Sequence, residues 1–95
     1  MISLHRIPTH PGKILLEEFL IPDKITQVEL AKHIGIPLQR INEIVNGKRG
    51  VTPETAWLLA QAFGTSAEFW INLQTTYDLV KSFPKYRVKK LKAAS

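Results

Sequence analysis

Cysteine is absent from this chain of 95 residues. Without thiols there is neither a disulfide framework nor a thiolate metal site, so the fold has to hold through its core alone. The length suits one domain and is enough to bury a modest core. Also missing is any apolar run near the ~20 residues of a membrane span, and the N-terminus lacks the basic-then-apolar pattern of a signal peptide. The expectation is a soluble, cytoplasmic protein with no membrane partner. Acidic residues are missing after Asp78, where Lys81, Lys85, Arg87, Lys89, Lys90 and Lys92 supply six of the 13 basic side chains. The chain up to Val80 then holds seven basic residues against all eight acidic ones, so the net charge of +5 resides in the tail. Such a tail either favours polyanions through counterion release, without sequence information, or solubilises a frayed end.

Catalytic constellations are lacking as well. His5, His10 and His33 are the only histidines; they show no i, i+4 pairing and no carboxylate at ligand spacing, so no metal or cofactor is expected. Glu17 and Glu18 are adjacent on a predicted helix and point in different directions. The other carboxylates are scattered, which leaves a nuclease without a general base or a carboxylate cluster for a metal. An enzyme is not expected.

What is present is a stretch from Thr26 to Gly47 that reads as two short helices joined by a tight turn. Thr26 can cap the first helix. Leu30, Ala31 and Ile34 share one face, and Gly35 stops the helix in a left-handed conformation that costs glycine nothing. Ile41, Ile44 and Val45 turn the second helix inward, and Gly47 ends it. Small Ala31, turn Gly35 and apolar Ile41 fit a helix-turn-helix, whose second helix offers its outer face to the DNA major groove. That face would carry Leu38, Gln39, Arg40, Asn42 and Glu43. Glutamine and asparagine can pair bidentately with adenine, and leucine can meet a thymine methyl. Arg40 can reach guanine or a phosphate. Gln27, starting the preceding helix, and Lys48 and Arg49, in the following turn, suit phosphate contact. Pro37 stands where a serine or threonine cap is expected and cannot cap with a side chain. The plain alternative is a helical hairpin with solvated polar residues.

Around this unit three more helices are expected. His10-Pro11-Gly12 starts the first, with Ile14, Leu15, Phe19 and Leu20 inward and Pro22 at its end. Thr52-Pro53-Glu54 starts another, with Ala56, Leu59, Ala60 and Phe63 as its core stripe and Gly64 as its stop. Ser66 caps the last, whose stripe is expected along Phe69, Leu73, Thr76, Tyr77 and Val80, widened by Trp70 and Ile71. The apolar surplus is more than a monomer would bury, which points to a homodimer through Trp57, Phe69, Trp70, Leu73 and Tyr77. A two-fold dimer would also cover two half-sites one DNA turn apart. The chain divides into an arm (1–9), a body (10–83) and a basic tail (84–95).

The segments H-P-G-K-I-L-L-E-E-F-L, T-Q-V-E-L-A-K-H-I-G, I-N-E-I-V-N-G-K-R-G-V-T-P-E-T-A and F-G-T-S-A-E-F-W-I-N-L-Q-T-T-Y-D-L resemble the HigA-type antitoxins, the virulence-associated protein I group within the Xre/Cro-like class. The resemblance runs from His10 to Leu79. It implies an all-α, five-helix, Xre/Cro-like (lambda-repressor-like) helix-turn-helix domain that represses its own operon as a dimer. It also implies that the protein neutralises a HigB-type toxin, a ribonuclease, by direct binding. Gln27 and the face from Leu38 to Glu43 occupy the family's DNA-contacting positions, and the helix from Ser66 to Val80 matches its dimer segment. Pro37 departs from the wider class, and the basic tail lies outside the resemblance. A solitary repressor without a toxin partner remains the alternative.

Overall fold

Local capping chemistry sets where the helices begin. In the computed structural model, which describes residues 8–92, α1 starts as an α-helical turn, Pro11–Ile14, and continues without a break as a π-helix, Leu15–Leu20. It is followed by α2 (Gln27–Ile34), α3 (Leu38–Val45), α4 (Pro53–Phe63) and α5 (Ala67–Lys81). Among the described residues there are five helices and no strand, the all-α architecture expected from the sequence. Thr26, Thr52 and Ser66 cap α2, α4 and α5, each accepting a hydrogen bond from the backbone three residues on. For α2 the cap is reciprocal: the Glu29 carboxylate accepts from the Thr26 N–H at 3.0 Å. Each such cap contributes about 1 kcal/mol. Gly35 and Gly64 end α2 and α4 in the left-handed region, as their positions predict.

The π register of α1 has no counterpart in the sequence expectation. In an α-helix, residues five apart diverge by about 140°. The wider π turn brings them closer to one face, and Leu15 and Leu20 are both fully buried. The chain then reverses at Ile21 to Lys24, where Lys24 takes a positive φ of 55°, and the Ile25 N–H closes the turn on the Leu20 carbonyl at 2.9 Å.

Leu15, Leu20, Ile41, Ile44, Ala56, Leu59 and Trp70 form the dry centre of the core. Phe19 links the end of α1 to α4 and α5, its ring 5.0 Å from Phe63 and 5.2 Å from Trp70. Here α5 differs from expectation. Its buried side is Ala67 and Trp70, whereas Phe69, placed on the inner stripe by periodicity, is partly exposed and packs edge-on against Trp70. Trp70 is therefore removed from the dimerisation set: its ring has no exposed surface, and its indole N–H donates to Thr65 Oγ1 at 2.8 Å.

Two long-range contacts fix α3 and the loop after it. A Cβ on Gly12 would stand 1.7 Å from the Ile44 carbonyl oxygen, so only glycine lets α1 approach the end of α3 this closely. Gln74 on α5 accepts a hydrogen bond from the Val51 N–H at 2.8 Å and donates to the Asp78 carboxylate at 2.9 Å. Of the expected N-terminal arm, residues 1–7 lie outside the described residues, and Pro8 and Thr9 precede α1 without helix. No helix among the described residues is long and apolar enough to cross a membrane.

Candidate nucleic-acid interface

The turn between α2 and α3 is built by close packing. Ala31, Ile36 and Ile41 are buried at the crossing, and Gly35 reverses the chain with φ 75°. Its N–H and that of Ile36 both reach the Ala31 carbonyl, at 2.9 and 3.1 Å. With Ile41 and Ile44 turned into the core, helical geometry leaves Leu38, Gln39 and Asn42 on the outer face, and all three are exposed. This face is held from behind by packed side chains, so its direction is fixed by the core.

The start of α3 is also chemically distinct. Helices α2, α4 and α5 each have a side-chain cap and an acidic residue in the first turn; α3 has neither. Pro37 is its N-cap residue, with extended backbone and no capping bond. The free N–H groups and the positive end of the helix dipole thus meet no capping side chain and no acidic residue of the first turn, a setting that favours phosphate.

The charged residues around this face are partly engaged with each other. Arg40 is half-buried and lies 3.7 Å from the Glu54 carboxylate. Glu43 and Arg49 form a closer pair, with Nε 2.8 Å from Oε1. Both pairs are solvent-accessible, and such pairs contribute only about 0–1 kcal/mol, so either arginine can be redirected to a phosphate at small cost. Lys48 is exposed and makes no ion pair among the described residues. Gln27, at the first position of α2, is half-buried, and its Oε1 is buried without a hydrogen-bond partner. Of the residues expected to act together, the structure joins Arg49, in the loop after α3, to Glu43 on α3, and leaves Leu38, Gln39, Asn42 and Lys48 exposed.

Two residues given no part in this loop by the sequence analysis bear on it. His10 caps α1 through Nδ1, 2.9 Å from the Gly12 nitrogen, and its ring meets Tyr77 edge-on at 4.8 Å. Burial lowers its pKa from the ordinary 6.5, and the Asp78 carboxylate opposes that shift. Gln74 is the other. The His10 cap is local, at the helix start read from His10-Pro11-Gly12, but its contact with Tyr77 and the Gln74–Val51 bond, 23 residues apart, follow no local pattern.

Of the dimerisation residues proposed from sequence, Trp57 is 60% exposed on α4. Phe69 and Leu73 line an open groove of about 440 Å³ with Pro8, Thr9, Ile14, Asn72 and Thr76. Tyr77 is half-buried and turned toward His10.

This arrangement has known relatives. The sequence pattern of the helix-turn-helix family HTH_3 matches residues 16–70. Antitoxin HigA-1 of Vibrio cholerae is 37% identical over 88 residues, which is 92% of this chain and 82% of that protein. The chain belongs to the HigA antitoxin family. A second HigA, the Pseudomonas aeruginosa antitoxin solved with the higBA promoter, superposes with a TM-score of 0.78 at 39% identity, covering 80% of this chain and 83% of that one. Virulence-associated protein I of Dichelobacter nodosus is 49% identical over 70 residues, or 74% of this chain, and the match spans 65% of that relative's length. The helix-turn-helix pattern thus covers α2, α3 and α4 and ends at Trp70, whereas the likeness to HigA-1 takes in 92% of the chain.

Proposed function

We propose that this chain is the antitoxin of a HigBA-type toxin–antitoxin pair, a binding protein with no catalytic role. It binds operator DNA as a homodimer, represses its own operon, and neutralises a HigB-type ribonuclease toxin by direct contact. The carrying observation is the outer face of α3, left exposed by the burial of Ile41 and Ile44. Gln39, Arg40 and Asn42 read bases and Leu38 meets a thymine methyl. Glu43 orients Arg49, and Gln27, Lys48 and Arg49 hold phosphates. Dimer contact is assigned to Trp57, Phe69, Leu73, Tyr77 and the outer side of α5. The division into arm (1–9), body (10–83) and tail (84–95), and a cytoplasmic, nucleoid-bound location, belong to the same reading. A HigA relative solved on promoter DNA supports it.

The test is fluorescence anisotropy with duplexes from the region upstream of the protein's own coding sequence, alongside capture of co-expressed partners. The protein should bind one such duplex with two-fold symmetry and retain a small basic partner. Gln39→Ala with Asn42→Ala should lose about 1–3 kcal/mol of discrimination per base contact and keep the toxin. Loss of both activities in a folded double variant would contradict this division of labour.

A further inference from the structure

Residues 82–92 carry neither helix nor strand. Their apolar side chains are little covered: Phe83, Tyr86, Val88 and Leu91 are all largely exposed, Leu91 completely. The principal extents of 53 × 24 × 21 Å show a molecule with one long axis, and its Cα radius of gyration is 16.2 Å. A compact chain of this size has about 13 Å. The segment projects from the body as an arm.

The point where the arm leaves is fixed by the last turns of α5. Gln74 holds Val51. The Tyr77 ring lies against His10 and beneath the Lys81 ammonium, 5.8 Å from its centroid. The His10 ring in turn reaches Gly47, where an added Cβ would lie 3.9 Å away. The end of α5 therefore sits against the loop that carries Lys48 and Arg49.

We propose that the segment from Lys85 to Lys92 is a second DNA contact, an arm that leaves the body beside Lys48 and Arg49 and follows the phosphates flanking the bases read by α3. This inference rests on the operator-binding reading above. Lys85, Arg87, Lys89, Lys90 and Lys92 are all exposed, and no acidic residue interrupts them. In an extended chain alternate residues face opposite sides. Lys85, Arg87 and Lys89 would then share one edge, and Lys90 and Lys92 the other. Neither edge is apolar throughout, which disfavours addition to a protein sheet. Charge on both edges suits a duplex whose phosphates border each groove. From Phe83 to Lys92 an extended chain reaches at most about 32 Å. With a phosphate every ~3.4 Å on each strand, that spans about nine base pairs.

The experiment compares the full chain with two variants: K85Q/R87Q/K89Q/K90Q/K92Q, and a chain ending at Pro84. Each is titrated on the operator duplex trimmed to the footprint of the shortened chain, and on the same duplex extended by roughly ten base pairs on each side. Salt is varied from about 50 to about 200 mM. On the extended duplex both variants should show a log–log salt slope shallower by about 2 per protomer, a difference of about 16-fold across that range. Base preference should not change, and on the trimmed duplex the curves should converge. Equal slopes on the extended duplex would overturn the proposal. So would variants that lose the protein partner while their DNA curves superpose on wild type, which would assign the arm to protein binding. Failure of the unmodified chain to bind either duplex would overturn the operator reading itself, and the arm's role with it.

Discussion

Replacing Gly12 with alanine probes the packing that holds α3 in position. At an exposed helix site the change would stabilise by about 0.5–1 kcal/mol, because glycine loses more chain entropy on folding. Here the new Cβ would lie 1.7 Å from the Ile44 carbonyl oxygen, 2.5 Å from its carbon and 3.0 Å from the Val45 Cα. Optimal carbon contacts lie near ~3.5 Å, so α1 and α3 would have to part by roughly 1.5 Å. Both sides of the contact are backbone, and no rotamer change can absorb the overlap. Overpacking costs about 1–3 kcal/mol, and this collision belongs at the upper end. The expected net loss is about 2 kcal/mol, or a fall in Tm of about 8–16 °C for a domain of this size. Circular dichroism melts at one fixed protein concentration would measure it, since in a dimer Tm would depend on concentration. Gly64→Ala is the control. It strains a left-handed residue with φ 70° but has no atom within 4 Å of the new Cβ. Both variants should melt lower than wild type, and only Gly12→Ala should also weaken operator binding at temperatures where both are folded. A Gly12→Ala protein that melts at or above wild type would refute the reasoning.

Trp70→Ala should cost about 3–5 kcal/mol through cavity formation. Trp57→Ala, at an exposed site, should stay within about 0.5 kcal/mol and instead lower the dimer fraction in sedimentation equilibrium. Gln74→Ala leaves the Val51 N–H without its acceptor, which should cost about 1–3 kcal/mol and speed hydrogen exchange at that amide. His10 has a lowered pKa when folded because it is buried, with Asp78 opposing. The unfolded chain therefore takes up the proton first, so stability is full above the ordinary value of 6.5 and declines as pH falls toward the lower folded value. His10→Asn, which keeps a capping oxygen, should flatten the dependence of Tm on pH between about pH 7.5 and 5.5.

Much of this fold is written in short-range chemistry. Thr26, Thr52 and Ser66 are local caps, and Gly35 and Gly64 are local stops; each acts on residues within one helical turn, so each is legible in sequence. The exposed set Leu38, Gln39 and Asn42 follows from the same logic, because Ile41 and Ile44 fix which side of α3 is inward. The π register of α1 was not legible, since the Leu15 and Leu20 pair is compatible with an α-helix until the core demands both. Trp70 was misplaced for a related reason. Aromatic residues are adjacent at positions 69 and 70, both rings meet Phe19, and periodicity does not say which of the two the core encloses. The close approach at Gly12 and the Gln74–Val51 bond join residues far apart in sequence, and no local pattern encodes them.

Helix α5 serves two surfaces, and this has a consequence for how a dimer would read DNA. Its outer side presents Phe69 and Leu73 to the groove beside α1. Its later turns hold the loop after α3 through Gln74 and, by way of Tyr77 and His10, the start of α1 that abuts Ile44. A tilt of α5 is therefore passed to Lys48, Arg49 and α3 by a hydrogen bond and packed rings, not by a flexible linker. A two-fold dimer has to present its two reading helices about 34 Å apart, one turn of DNA. Any slack between the dimer helix and the reading helix would have to be removed on binding, at the expense of affinity. In such a dimer the Gln74 contact would remove it in advance, so losing that bond should weaken operator binding even where the folded population is unchanged.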